Sequence, residues 1–301
     1  MDRSPIEIVE VGPRDGLQNE REILSTETKL ELINRCLAAG VKRIEVASFV
    51  HPKRVPQMAD AEAVCAGLPA AEGVTYIGLV MNMRGAERAI AAGVQEIGAV
   101  ACSSDGFGVA NQGRSAAETV EDAIAVIRAA KAAGRRAQAT ITVAFGCPFD
   151  GPVSASRVAE AARRIAEAEP HEIAIADTIG VGTPARVREV MRKVHTAVPG
   201  MPLRLHFHDT RNMAVANAWA ALEEGAATLD ASVGGAGGCP FAPGATGNVA
   251  TEDLLYMLAP TGLGPPIALT PMIETGRWLG QALGKELPSK QAKAPAFPPP
   301  A

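Results

Sequence analysis

ELINRCLAAGVKRIEVASFV, residues 31–50, passes from an amphipathic stretch to a β-branched one across a single glycine. Leu30, Ile33 and Leu37 fall on one face at helical spacing, Gly40 stands where a helix end favours a left-handed residue, and RIEVAS (43–48) reads as a buried strand. The junction returns as AAGV at Gly93, AAGR at Gly134 and EEGA at Gly225. One helix end feeding one strand, repeated along the chain, is the pattern of a βα unit.

Seven further apolar runs extend this reading: IEIVEV (6–11), VTYIGLV (74–80), EIGAVA (96–101), AQATITV (137–143), EIAIAD (172–177), LRLHFH (203–208) and TLDASV (228–233). Helical patterns lie between them. Ser115 opens an S-x-x-E capping box with Glu118, and Thr183 with Pro184 suits an N-cap and first turn. Eight alternations predict an α/β fold, a (β/α)8 TIM barrel, with residues 272–283 as a short C-terminal helical extension. A doubly wound open sheet is the alternative, but VGPRDG after the first strand is not the GxGxxG turn such a sheet commonly carries. The barrel and its extra helix are assigned to 1–285, and the Pro- and Ala-rich remainder, 286–301, reads as a disordered tail or a segment laid on a neighbour.

Composition narrows the function classes. The 301 residues are 47% hydrophobic and 21% charged, which excludes disorder for the bulk of the chain. With 29 basic against 33 acidic residues there is no positive field to attract a polyphosphate backbone, so no nucleic-acid partner is expected. No window suits a membrane span, and MDRSPIEIVE matches neither a signal nor a transit peptide, so the expectation is a cytoplasmic protein with no membrane partner. Cys36, Cys65, Cys102, Cys147 and Cys239 are odd in number and lack CxxC spacing, which argues for reduced thiols rather than disulfides or structural zinc.

In such a barrel the chemistry sits where strands end. Arg14 and Asp15 follow the first run, Glu45 lies in the second, Asp177 closes the sixth, and His206 and His208 close the seventh. The two histidines, two apart on a strand, face the same side and can grip one ion; Asp15 adds a carboxylate and Asn248 a carbonyl oxygen. Oxygen and imidazole donors without thiolate favour Mg2+ or Mn2+. Arg14 is suited to a negative charge that develops during reaction, or else to a plain salt bridge with Glu45, which reads as its positioner. Asp177 is either a base or the cap of the turn that follows. Cys239 sits at the tip of a glycine-rich stretch, SVGGAGGCPFAPGATGN (232–248), that reads as a mobile lid with a reactive thiol, whereas Cys147 in FGCPFDG reads as structural. Lys53 and Arg54 read as an ordinary solvated basic pair.

The stretches VGPRDGLQNE (11–20), IEVASFVHPKRVPQMADAE (44–62), GCPFDG (146–151), DTIGVGTP (177–184), HFHDT (206–210) and GGAGGCPFAPGATGNVATEDLLYML (234–258) together resemble the 3-hydroxy-3-methylglutaryl-CoA lyase family of the DRE-TIM metallolyases, in family order from about residue 6 to about 285. The resemblance implies Asp15, His206, His208 and Asn248 as ligands of a divalent cation. It implies Arg14 and Gln18 at the acyl-CoA substrate, Glu45 positioning the site, Asp177 or His206 moving the hydroxyl proton, and Cys239 acting from the lid. It also implies cleavage to acetyl-CoA and acetoacetate, as in leucine and ketone-body metabolism, by a homodimer.

The sequence departs from the family pattern beside the acyl group. Arg211, Asn212 and Met213 stand where many members read YGQ after HDT, Met81 replaces a proline, and VACSSD (100–105) replaces a pattern like FGAASE. A related 3-hydroxy-3-substituted acyl-CoA is therefore an alternative substrate. Two other readings compete. A synthase condensing acetyl-CoA with a 2-oxo acid would usually carry longer C-terminal segments, and a non-catalytic binding protein would not be expected to keep every catalytic position.

Overall fold

Gly40, Gly93, Gly134 and Gly225 adopt φ of +106°, +84°, +69° and +93°, and each closes a helix just before a strand. They do so because a residue without Cβ enters this region at little cost. The computed structural model describes residues 5–238, 247–295 and 297.

The elements alternate as the glycines predict: β1 (Glu7–Glu10), α1 (Thr26–Ala38), β2 (Arg43–Ser48), α2 (Ala61–Ala66), β3 (Thr75–Val80), α3 (Met83–Ala91), β4 (Glu96–Cys102), α4 (Asp105–Gln112), α5 (Ala116–Ala132) and β5 (Arg136–Thr142). The second half continues with α6 (Ala155–Ala166), β6 (Ile173–Asp177), α7 (Pro184–Ala197), β7 (Leu203–Phe207), α8 (Ala214–Glu223), β8 (Thr228–Ala231), α9 (Thr251–Leu258) and α10 (Leu269–Ala282). Every strand pairs in parallel with the next and β8 pairs with β1, so the sheet closes into an eight-stranded barrel. Both halves of the Ser115–Glu118 capping box form, and Thr183 with Pro184 opens α7. The four described cysteines are free and buried, and Cys147 accepts backbone N–H bonds from Phe149 and Asp150.

The apolar core is a ring. Outward-facing strand residues and the inner faces of the helices form one continuous cluster, while the small separate cluster of Val9, Val11 and Ile77 lies on the alternate, inward-facing positions. Much of the lumen is filled with charge instead. Arg43 on β2 pairs with Glu96 on β4 and with Glu172 just before β6, and Arg204 on β7 reaches Glu172 and Glu45. Strands so far apart in a closed barrel meet only across its interior. Such charges are tolerated when buried because each faces an opposite one.

Residues 286–295 pack onto the barrel: Leu287 is buried against Gly234, Ser289 N donates to Gly234 O at 3.0 Å, and Lys290 N and Gln291 N donate to the Asp253 carboxylate. Composition concealed this because the segment is held by caps and one apolar side chain rather than by a periodic face. Residues 298–301 lie outside the described residues. No described helix is long and apolar enough to cross a membrane.

Candidate active site

β1 ends in a wide helical turn over Gly12–Gly16, where the N–H groups of Asp15 and Gly16 both donate to Val11 O, at 2.7 and 3.2 Å. Such i→i−5 turns are uncommon and often occur at functional sites. The buried Glu10 carboxylate fixes the start of this turn. It accepts from Gly12 N and Val233 N at 2.8 and 2.9 Å and from the Thr251 hydroxyl at 2.6 Å, which ties β1 to the loops after β8.

The turn presents Arg14 and Asp15 to the barrel mouth. Arg14 Nε donates to Glu45 Oε1 and its Nη1 to Asp15 Oδ1, so the guanidinium is gripped on two edges. Burial opposes ionisation of Asp15, but Arg14 and the two histidines outweigh it and hold the carboxyl well below the usual carboxylate range.

His206 and His208 project from the end of β7 to the same side, with ring centres 5.1 Å apart. Their Nε2 atoms lie 3.9 and 3.7 Å from Asp15 Oδ2. Asn248 is brought opposite by a short antiparallel bridge to His208. Its Nδ2 donates to Asp15 Oδ2 at 2.9 Å and to Ala236 O at 3.1 Å, while its buried Oδ1 has no hydrogen-bond partner. Gly237, at φ +129°, lets the loop backbone close on this amide, because a Cβ there would lie 2.7 Å from Asn248 Nδ2.

These donors fit a divalent cation on two counts. Asp15, His206 and His208 place ligand atoms within 4.8 Å of one another, with the unsatisfied amide oxygen of Asn248 alongside. Counting arginines against carboxylates, and leaving the histidines aside, the lumenal network also carries fewer cations than anions. Arg14, Arg43 and Arg204 face Asp15, Glu45, Glu96, Glu172 and Asp230, an excess of two carboxylates. The half-exposed Glu7 and Arg136 at the barrel floor cancel. A second acidic group, Glu96, His171 and Glu172, needs no ion because Arg43 Nη2 already lies against all three.

The remaining candidates divide. Gln18 lines the cleft and accepts from the Ser48 hydroxyl at 3.1 Å. Asp177 is buried with its two oxygens accepting from Val181 N and Gly182 N, both at 2.9 Å, so the carboxylate caps the turn, and it is not among the cleft-lining residues. Burial raises its pKa, and those two backbone bonds partly offset the rise. Cys239 lies outside the described residues. Lys53 and Arg54 are exposed. Of the departures from the family pattern, Met81 and Val100 line the cleft, but Arg211 turns away and donates to the carbonyls of Ile179 and Gly180 at 3.2 and 2.8 Å. Asn212 takes φ +56° in the turn that follows β7, where its N–H donates to Asp209 O.

The HMGL-like family model matches residues 5–279. The chain belongs to the HMGL-like family. Among curated relatives, the mitochondrial hydroxymethylglutaryl-CoA lyase of Macaca fascicularis is 42% identical over 98% of this chain and 91% of its own length. A Pseudomonas aeruginosa protein named 3-hydroxy-3-isohexenylglutaryl-CoA/hydroxy-methylglutaryl-CoA lyase is 42% identical over 96% of each. The solved HMG-CoA lyase of Acinetobacter baumannii, in complex with coenzyme A and 3-methylmalate, superposes with a TM-score of 0.93 at 36% identity, covering 99% of this chain and 97% of that one.

Three polar residues of this HMGL-like site escaped the sequence reading. Asp230 on β8 accepts from His206 Nδ1 at 3.0 Å, Arg204 lies beneath them, and Asn19 Nδ2 donates to Gly238 O at 3.0 Å, at the near edge of the glycine-rich stretch. The signal for the first two was present. Arg204, His206 and His208 alternate in LRLHFH, and Asp230 and Ser232 alternate in TLDASV, which is the polar side of a strand whose other side is apolar.

Proposed function

We propose that this chain is a carbon–carbon lyase that cleaves 3-hydroxy-3-methylglutaryl-CoA to acetyl-CoA and acetoacetate, using Mg2+ or Mn2+. One observation carries the reading: three ligand atoms from Asp15, His206 and His208 converge beside an unsatisfied Asn248 oxygen, with the Arg14 guanidinium hydrogen-bonded to the same Asp15. Family membership and the coenzyme A complex of a relative support it.

The reaction removes the proton of a tertiary hydroxyl, breaks the C2–C3 bond and leaves an enolate on the thioester half. A divalent cation on Asp15, His206, His208 and Asn248 would lower the hydroxyl pKa and orient the bond to be broken. Arg14, fixed by Glu45, offers its remaining N–H groups to the thioester oxygen as negative charge develops there, with no reorganisation needed at that moment. Gln18 supplies a neutral amide at the same wall of the cleft. Of the two candidate bases, Asp177 has both oxygens taken by backbone N–H groups and does not line the cleft, and His206 lines the cleft but its Nε2 is the atom that would hold the cation. Cys239 then returns a proton to the enolate carbon. With Asn19 anchoring Gly238, the stretch that bears Cys239 starts from a fixed point at the cleft.

The test is acetoacetate release from 3-hydroxy-3-methylglutaryl-CoA. Chelation should abolish it, and added Mg2+ or Mn2+ should restore it. Undiminished turnover after exhaustive chelation would remove the metal from the reading.

A further inference from the structure

We propose that Arg204 is a positioning residue for this reaction: it holds Asp230, and through Asp230 the His206 ring, while its far side restrains Glu45 and through it Arg14. The inference rests on the lyase reading and adds a residue which that reading does not use.

The β7–β8 register places Arg204 level with Thr228 and Leu205 level with Leu229, so His206 comes level with Asp230 and Arg204 lies one inward-facing position below. Arg204 is 1% exposed and lines the floor of the cleft. Its Nε is 3.1 Å from Asp230 Oδ1, its Nη1 3.3 Å from Glu172 Oε1 and its Nη2 3.9 Å from Glu45 Oε2. Asp230 is 4% exposed and its two oxygens have different partners: Oδ1 forms an ion pair with the guanidinium in which neither Nε nor Oδ1 makes an aligned hydrogen bond, and Oδ2 accepts from His206 Nδ1 at 3.0 Å.

That division matters for the imidazole. A histidine whose Nδ1–H is held by a carboxylate has one ring orientation and presents Nε2 outward, here toward Asp15. Asp230 has a short side chain with two rotatable bonds, and Arg204 is the only arginine or lysine paired with it among the described residues. With Arg204 gone, nothing cationic would hold Oδ1 and the carboxylate could rotate, carrying His206 with it. Arg43 provides a natural control. It is equally buried in the same network and also pairs with Glu172, yet it lies toward the barrel floor and, among the described residues, forms no ion pair with Asp230 or Glu45. A cation that only balanced lumenal charge would act alike at both positions.

The experiment uses Arg204→Met, Arg204→Lys, Asp230→Asn, the Arg204→Met/Asp230→Asn double variant and Arg43→Met. Each is checked for folding by circular dichroism and thermal melting. Mn2+ affinity is read by electron paramagnetic resonance, the metal-free His206 ring by 15N NMR, and kcat and KM with 3-hydroxy-3-methylglutaryl-CoA.

The expected result is Mn2+ binding weakened about 10- to 100-fold in Arg204→Met and in Asp230→Asn, and no further in the double variant. The Nδ1–H signal should be lost from the metal-free Arg204→Met protein, kcat should fall while KM changes little, and Arg204→Lys should recover part of the affinity. Arg43→Met should bind Mn2+ as the parent does. If Arg204→Met does not fold, Arg204→Lys decides, with affinity between parent and Asp230→Asn as the supporting result.

Parental Mn2+ affinity and an unchanged His206 signal in a folded Arg204 variant would overturn the proposal, as would additive losses in the double variant. A parent protein that neither binds Mn2+ nor cleaves the thioester would overturn the lyase reading itself, so the two failures are distinguishable.

Discussion

Arg14, in the turn after β1, meets Glu45 within the neighbouring strand β2, the arginine Nε donating to Glu45 Oε1 with the carboxylate almost wholly buried. The contact occupies one edge of the guanidinium, and Asp15 takes one nitrogen of another. The N–H groups left over have a fixed direction.

That geometry predicts how Arg14→Lys behaves. An ammonium keeps the charge but not the fork, so it cannot hold Glu45 and Asp15 and still aim a donor at the thioester oxygen. Steady-state kinetics should show kcat/KM lower by about 10²- to 10³-fold, mostly in kcat, with the melting temperature nearly unchanged. A loss under about fivefold would mean that Arg14 does not meet the developing charge.

Asn248→Ala tests the ligand set from its neutral member. The change removes the donor to Asp15 Oδ2 and the unsatisfied buried oxygen together. Calorimetric titration of the metal-free protein should show Mn2+ binding at least about tenfold weaker. Equal affinity would take Asn248 out of the site.

Stability should depend on pH through two buried carboxyls, Glu10 on β1 and Glu252 on α9. Burial pushes Glu10 up to about 7 and Glu252 up to about 8, from an ordinary 4.5. In the unfolded chain both ionise near the ordinary value, so between about 4.5 and about 8 the folded protein binds more protons than the unfolded one. Stability therefore falls as pH rises through that window and levels off above it. Thermal melts should show this decline, and Glu10→Gln combined with Glu252→Gln should flatten it. Parallel curves for parent and variant would show that the slope comes from elsewhere.

Gly276→Ala sets helix propensity against space. Alanine in a helix interior gains up to about 1 kcal/mol over glycine, but a Cβ here would lie 2.6 Å from Glu252 Oε1 and 3.2 Å from Gly234 Cα. Crowding of this kind costs about 1–3 kcal/mol, so the variant should melt lower than the parent. A higher melting temperature would show that α10 shifts freely.

The barrel was legible because its punctuation is local. A glycine at a helix end and a β-branched run after it need no knowledge of distant residues, and all eight strands fall within or close to the runs read from the sequence. The residues at strand ends were legible for the same reason. Arg204 and Asp230 were missed because each looks like an isolated charge within an apolar run, and only closure of the sheet brings β7, β8 and β2 around one point. Asp177 presented the reverse difficulty. Its place at the end of β6 suggested a base as readily as a cap, and only the directions of the Val181 and Gly182 N–H groups show the capping. The packing of 286–295 depends on Asp253 and Gly234, which no local pattern connects to it.

Gly234 is held from three directions: its N–H by Glu252, its carbonyl by Ser289 N and its α-carbon by the Leu287 side chain. The same glycine lies a few residues before Asn248's partner Ala236 and the glycine-rich stretch beyond it. Residues 287–291 are therefore tied directly to the start of the glycine-rich stretch. An affinity tag fused close behind them, a crystallisation truncation at 285, or a protease cut in between should be checked in turnover as well as in a melting curve, because each disturbs buried Leu287 and the bonds of 289–291 to Gly234 and Asp253. Recombinant versions made to measure this chemistry are better handled from the other end of the polypeptide.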